Sequence, residues 1–388
     1  MPAYVAIPKN APDSRWEVDI SRPFGEGGFG AVYRGKDKCG ESGKEDPKDC
    51  AAKRVLLAEK QDRESYETEL DMLKAVGKHK HIIGFYGSAE DKDKENEGWL
   101  FLEMATGGEL FDRLIDSGSL SERAPAPDTQ LPSSRLLPLH SHSHLAPPPT
   151  DVGAAWPFVS SIADAVAHCH SQGVMHRDLK LENVMLLADD PHGIKLIDFG
   201  LAMKLDVGAD GKVIEKKVKD TAGTQAYRAP EVNVPSSDGH SPLKVDVWAM
   251  GIVAFSLVAG FFPLLEAKES DWRYKKLKAD QAKGMGACES IFKTYKRQCH
   301  FSPSLRELLD GMLTIEYETR LSVQEVLAHP WIQTAPASTQ PDDDGDGPVY
   351  RGTDADELME DFAIPEDAVP LCRQRAGRPA PMDDGALA

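Results

Sequence analysis

Eight consecutive residues, His176-Arg177-Asp178-Leu179-Lys180-Leu181-Glu182-Asn183, and the later triplet Asp198-Phe199-Gly200 constrain this chain more than any other feature. The first run sets a carboxylate and a carboxamide five residues apart on one loop. The second adds another carboxylate fifteen residues past the amide, just after the apolar, strand-like Ile194-Lys195-Leu196-Ile197. One aspartate can orient a hydroxyl nucleophile, while the asparagine and the second aspartate can hold magnesium against a triphosphate. A fold that uses both runs must bring a loop and a strand end together around one set of phosphates.

Length and charge narrow the field. A chain of 388 residues suits one large two-lobed domain or two small ones. Its formal charge of −18 argues against nucleic acid or an anionic membrane as the main partner. The charge is uneven, for residues 334–388 carry thirteen acids and four bases. The six cysteines show no CxxC pair, which points away from a zinc site or a disulfide framework and toward reduced thiols in a cytoplasmic or nuclear protein. Met1 to Asn10 lacks the basic and apolar regions of a signal peptide. The longest apolar run, Val245 to Phe262, is broken by Asp246, Gly251, Ser256 and Gly260 and reads as a buried core helix.

Residues 1–19 read as a loose leader. From 20 to 105 short strand-like runs dominate, among them Ile82 to Tyr86 and Trp99 to Leu102, interrupted by a helical stretch from Asp62 to Val76. Helices prevail from 106 to 333; Trp156 to Gln172 is one, with Gly173 as its stop. The order predicts an α+β protein of two lobes, β-rich first and α-rich second. Residues 124–153, rich in Pro and His, break the pattern and cannot bury enough apolar surface to offset their ordering. Their three alternating histidines lack the partner ligands of a tetrahedral metal site. Whether the stretch is a real insert or a gene-model artefact stays open. Residues 334–388 read as a disordered acidic tail; its Asp342, Asp344, Asp346 and Gly347 mimic a calcium loop but Thr353 stands where the closing Glu belongs.

Four further constellations add chemistry. Phe24-Gly25-Glu26-Gly27-Gly28-Phe29-Gly30-Ala31-Val32 is a GxGxxGxV run whose glycines let backbone N–H groups approach phosphates. A dinucleotide-binding turn shares these glycines, but it requires a helix directly afterwards, and strand-like Val32-Tyr33-Arg34 follows instead. Lys53 lies 23 residues past Gly30 on a β-prone run and can reach phosphates if a carboxylate orients it. The helix offers Glu64, Glu67 and Glu69; Glu69 is preferred because Leu70, Leu73 and Val76 mark the buried face, with Glu67 second. Finally, Gly223-Thr224 leads to Ala229-Pro230-Glu231, for which Arg320 is a suitable bidentate partner, and Asp246 opens the apolar helix, where it can hold neighbouring N–H groups.

With these motifs in order, residues 20–333 resemble a eukaryotic protein kinase domain of the serine/threonine class. Gly107-Gly108-Glu109-Leu110-Phe111 and Ala328-His329-Pro330-Trp331-Ile332 are similar to the calcium/calmodulin-dependent and SNF1-related group. The resemblance implies a bilobal fold with ATP and Mg2+ in the cleft and protein substrates bearing Ser or Thr. It implies catalytic roles for Asp178, Lys180, Lys53 and Glu69, and metal binding by Asn183 and Asp198. Nucleotide contacts would come from Phe24 through Val32, Ala51, Lys53, Glu103, Ala105, Glu109 and Met185, with Leu102 as gatekeeper. Phe85, Leu73, Phe199 and His176 would stack as a spine. Glu109 and Glu182 suggest a preference for basic residues N-terminal to the target. A pseudokinase scaffold is the rival reading. Two departures stand out: the segment from Asp198 to Glu231 is long, with a hairpin turn at Val207 to Val213, and Asp220 stands where relatives carry a phosphorylated Thr or Ser. Either Asp220 supplies part of the charge that Arg177 awaits, or Thr221 is phosphorylated. An upstream activator is not identified.

Overall fold

A computed structural model describes residues 4–8, 14–27, 30–39, 48–91, 96–121, 154–234 and 238–334. Gly28, Phe29, the Pro- and His-rich segment and the acidic tail past Thr334, with its calcium-loop mimic, lie outside the described residues.

The first lobe is one antiparallel sheet with a helix against it. Its elements are β1 (Tyr4–Ile7), β2 (Trp16–Asp19), β3 (Gly25–Gly27), β4 (Gly30–Asp37), β5 (Lys48–Leu56), α1 (Lys60–Val76), β6 (Phe85–Asp91) and β7 (Glu97–Leu102). The strands run in the order β1-β2-β4-β5-β7-β6, with β3 folded back on β4. The expected loose leader is therefore corrected where it is described. β1 and β2 extend the sheet from β4, and Ile7, Trp16 and Val18 are buried with Tyr33, Cys50, Trp99 and Phe101. Trp16 lies flat on Phe101, ring centroids 4.0 Å apart. The alternation of Trp16 and Val18 with charged neighbours is a period-two signal too short to stand out from its polar surroundings.

A second correction concerns Ile82 to Tyr86, where the strand begins only at Phe85. Ile82 and Ile83 are buried and turn toward the second lobe: Ile83 N–H donates to Leu196 O at 3.0 Å, and Leu196 N–H to His81 O at 2.8 Å. This pairing stitches the lobes together behind the cleft.

The second lobe holds α2 (Leu110–Ser117), α3 (Trp156–Ser171), β8 (Val174–Met175), β9 (Val184–Leu186), β10 (Ile194–Leu196), β11 (Met203–Lys204), α4 (Pro230–Asn233), α5 (Pro242–Ala259), α6 (Trp272–Gln281), α7 (Ala287–Thr294), α8 (Pro303–Met312), α9 (Val323–Ala328) and α10 (Pro330–Gln333). α5 is apolar all round and buried along almost its whole length, as a central core helix must be. The flanks of the Pro- and His-rich segment meet, for Ala155 N–H donates to Ser121 O at 2.7 Å. Ser121 and Ala155, far apart in the chain, are thus neighbours in the lobe. The result is the bilobal α+β architecture, with short β9 and β10 as the floor between the lobes.

Candidate active site

β5 carries Lys53 in the middle of the sheet, opposite Val32 on β4 and Leu100 on β7. α1 buries one stripe, Tyr66, Glu69, Met72, Leu73 and Val76, so the single charged residue on that stripe faces the sheet. Lys53 Nζ lies 2.7 Å from both Glu69 oxygens and 3.5 Å from Asp198 Oδ1. Glu67, the second choice from sequence, points outward to Arg63 at 3.8 Å. Burial alone would lower the Lys53 pKa, but the carboxylates of Glu69 and Asp198 outweigh it and hold the ammonium above its usual value. Burial pushes Glu69 up; Lys53 opposes that shift, while Asp198 adds to it. Two carboxylates thus share one ammonium.

Asp198 reaches this cluster from a backbone in the left-handed region, φ 64°, and its Oδ1 accepts from Gly200 N–H at 3.3 Å. Holding a non-glycine residue there costs energy that the surroundings must offset. Next to it, Ile197 N–H donates to Asn183 O at 2.9 Å, which sets the predicted metal ligands side by side. Phe199 is buried with its ring edge-on to His176, centroids 4.9 Å apart. Leu73 and Phe85 belong to the same core.

At the other end of the cleft the Asp178 carboxylate is thoroughly engaged. Lys180 Nζ is 2.9 Å away, and Thr224 donates to Oδ1 through its backbone N–H at 2.8 Å and its hydroxyl at 2.7 Å. Lys180 also donates to Thr224 Oγ1 at 3.0 Å. The Asn183 amide donates to Asp178 O at 2.8 Å and to its Oδ2 at 3.2 Å. Burial would raise the Asp178 pKa, yet Lys180 and Thr224 together hold it below the usual carboxylate range.

What fixes this loop is Asp246, fully buried on α5. Its carboxylate accepts from His176 N–H at 2.9 Å and Arg177 N–H at 2.7 Å, and it pairs with His170 at 2.7 Å. The sequence suggested that Asp246 would hold neighbouring N–H groups; those it holds belong to a loop seventy residues away in the chain. Burial would raise its pKa as well, but His170 and the Arg177 N–H pull it lower than an ordinary aspartate.

The remaining nucleotide positions frame a slot. Ala51 pairs with Leu102 across β5 and β7, and Ala105 packs half-buried against the main core. Glu103 N–H donates to Gly84 O at 2.7 Å; its side chain accepts from Gly84 N–H at 3.0 Å and pairs with Lys195 at 2.8 Å. Glu109 and Met185 form an isolated antiparallel bridge. In the glycine-rich run Gly25, Glu26 and Gly27 face Val32, Ala31 and Gly30, and Phe24 is exposed. Gly30 has φ 135°, and a Cβ there would collide with the Arg54 carbonyl, so no other residue fits that turn.

Around the cleft, Arg320 grips Glu231 with two bonds of 2.6 and 2.9 Å. Val207 and Val213 pair as a hairpin, and the Arg177 guanidinium meets Asp220. Sequence reasoning missed two contacts. In the sequence Thr224 stands out only beside Gly223, ahead of Ala229-Pro230-Glu231, and nothing local signals its bond to Asp178, 46 residues away. The Glu103–Lys195 pair carried no signal, because lone charges on strand-like runs are usually solvated.

Comparison with known proteins places these features in a wider set. Residues 18–332 match the family described as "Protein kinase domain". "Calcium-dependent protein kinase 19" of Oryza sativa subsp. japonica is 29% identical, covering 88% of this chain and 56% of that protein. "Calcium-dependent protein kinase 21" of Arabidopsis thaliana is 28% identical over 85% of this chain and 52% of its own length. "Calcium/calmodulin-dependent protein kinase type 1" of Macrobrachium nipponense is 28% identical, with 76% and 71% covered. The chain spans about half the length of the first two.

Proposed function

Because the chain belongs to the protein kinase domain family, we propose that it transfers the γ-phosphoryl group of MgATP to serine and threonine hydroxyls of protein substrates. The observation that carries this reading is the convergence of Lys53, Glu69 and Asp198 from three separate stretches into one ion cluster at the mouth of the glycine-rich turn. Lys53, oriented by Glu69, would neutralise phosphate oxygens. Asp178 would orient the attacking hydroxyl, with Lys180 beside it to meet charge on the transferring group. The pseudokinase alternative draws support from degenerate positions, and Lys53, Asp178 and Asp198 are all intact.

The residues present fit a divalent ion. Asn183 and Asp198 offer hard oxygen donors, and the excess carboxylate near Lys53 favours a cation. Among the described residues no group of three or more His, Cys, Asp or Glu is placed to hold a metal ion; phosphate oxygens would complete the shell. Bound there, Mg2+ would screen the charge of the phosphates.

For substrate choice we propose basic residues N-terminal to the target. Glu182 accepts from the Tyr227 hydroxyl at 3.1 Å, and Glu109 is near enough to add to its charge. The test is transfer of labelled phosphate from MgATP to a Ser peptide preceded by arginines. Asp178→Asn should reduce the rate by about 10³-fold. A wild-type chain no faster than Asp178→Asn would discard the reading.

A further inference from the structure

We propose that His79 is a proton sensor: a proton taken up on its Nδ1 opens the turn behind the cleft and loosens the end of α1, the helix that presents Glu69. The kinetic part of the proposal rests on the phosphotransfer reading above.

Three imidazoles and one carboxylate meet behind the cleft. His79 and His81 follow α1, and Asp164 and His168 stand one turn apart on α3. The His79 ring stacks on His168, centroids 4.5 Å apart with 18° between the planes, and meets His81 edge-on at 5.8 Å. Asp164 Oδ2 lies 3.5 Å from His79 Nε2, 3.8 Å from His81 Nε2 and 3.2 Å from Lys80 Nζ. On the far side of the stack His168 Nε2 donates to Val76 O at 2.9 Å, and Val76 closes α1. A carbonyl of the final turn has no partner within its own helix, so His168 supplies one from the second lobe.

Hydrogen-bond polarity fixes where the next proton must go. A backbone N–H can only donate, and His81 N–H donates to His79 Nδ1 at 3.3 Å. The neutral His79 ring therefore carries its hydrogen on Nε2, facing Asp164. A second proton can enter only at Nδ1, where it expels the His81 N–H. That N–H belongs to a turn closed by Ile82 N–H donating to His79 O at 3.3 Å. The same turn offers His81 O to Leu196 N–H at 2.8 Å. Protonation thus strikes both the pairing that joins the lobes and the stack that reaches Val76.

The surroundings oppose the added charge. Lys78 and Lys80 flank His79 in the chain, and His81 follows them. α3 contributes Asp164 and His168, and β10 contributes Lys195, itself paired with Glu103 at 2.8 Å. Lys74 stands in the last turn of α1. Burial, opposed by Asp164, holds the His79 pKa below the usual imidazole value, and His168, Lys80 and Lys195 add to that shift. His81 is pushed down to about 4 by burial and Lys80, again against Asp164. Both values fall on folding. The clasp is therefore whole above the ordinary imidazole value and is lost as pH falls from there toward the folded ones.

The test uses the full chain as wild type, His79→Asn and His79→Arg, each at about pH 7.5 and about pH 5.5, either side of the ordinary imidazole pKa. Amide exchange over residues 70–84, divided by the intrinsic rate at each pH, reads the clasp without any reaction. KM for ATP and kcat for a neutral Ser peptide read its effect on the cleft. Asparagine offers an acceptor where Nδ1 stood and takes up no proton, so His79→Asn should keep its slow exchange at both pH values. In the wild type, acid should quicken exchange and raise KM for ATP about fivefold relative to His79→Asn, the worth of one hydrogen bond. The kcat at saturating ATP should not change. Arginine brings a permanent charge and no acceptor, so His79→Arg should behave as acidified already at neutral pH. Equal responses to acid in the wild type and His79→Asn would overturn the proposal, whatever becomes of His79→Arg. So would a wild type whose normalised exchange ignores acid. A chain that transfers no phosphate, yet whose exchange responds to acid in the wild type and not in His79→Asn, would sink the phosphotransfer reading and leave the sensor standing.

Discussion

The two ends of the cleft follow opposite electrostatic plans. At the nucleotide end one ammonium, Lys53, serves two carboxylates, and burial pushes the Glu69 pKa up. Negative charge is in excess there, and the groups come from both lobes, so an incoming cation completes the cluster. At the hydroxyl end everything belongs to one lobe. Asp178 is met by Lys180 and twice by Thr224, and Asp246 ties the loop to the buried α5. The difference separates an end that attracts its ligand from an end that waits pre-arranged for it, and pre-arranged dipoles need no reorganisation during reaction.

If that contrast holds, the largest effect after loss of Asp178 itself should come from the anchor. Asp246→Asn removes an ionised acceptor from two backbone N–H groups and from His170, all buried. The expected cost is about 3 kcal/mol of stability, read from urea unfolding, since bonds to a buried charge are worth more than neutral ones. The phosphotransfer rate should fall with it, by on the order of 100-fold, because the left-handed Arg177 and its neighbour Asp178 lose their support. KM for ATP should not move. A variant with normal stability and normal turnover would show that the hydroxyl end is not held from α5.

The same contrast explains what could be read from the chain alone. The hydroxyl end is local in sequence, so Asp178, Lys180 and Asn183 were visible as one motif within eight residues. Lys53 and Glu69 were reachable because helical spacing puts Glu69 on the same stripe as Leu73 and Val76, although Leu70, read as part of that face, lies off it. The anchors were not legible to that degree. Thr224 meets Asp178 across 46 residues and Asp246 meets His176 across 70, and no periodicity encodes such separations. The first two strands were lost for another reason. Four residues each, one with a single alternation, they gain their stability from Trp99 and Phe101 far along the chain.

A smaller effect of opposite character is expected at the nucleotide end. Glu69→Gln leaves Lys53 with Asp198 alone, at 3.5 Å. KM for ATP should rise about tenfold, the worth of one oriented charge pair of roughly 1.4 kcal/mol. Stability should change less than ATP binding does. Burial disfavours the Glu69 charge, but the same charge holds buried Lys53 ionised, so the two consequences of the substitution oppose one another. Isothermal binding of ATP with magnesium and thermal unfolding, run on the same preparation, decide it. A large loss of stability with unchanged ATP affinity would reverse the assignment of the two ends.

The smallest effect separates two carboxylates on one loop. Burial raises the Glu182 pKa above the usual carboxylate range, with Lys180 and the Tyr227 hydroxyl opposing and Glu109 adding. Asp178, four residues earlier, is held below the usual carboxylate range by Lys180 and Thr224. As pH falls, Glu182 therefore takes up its proton first, while Asp178 stays ionised. The ratio of kcat/KM for an arginine-bearing peptide over a neutral one should shrink on acidification by up to about fivefold, the range of a partly screened ion pair. Turnover of the neutral peptide should persist over the same interval. Glu182→Gln should show the small ratio at every pH. A wild-type ratio that stays flat on acidification from neutrality would mean that Glu182 does not face the substrate, and Glu109 would then carry whatever basic preference exists.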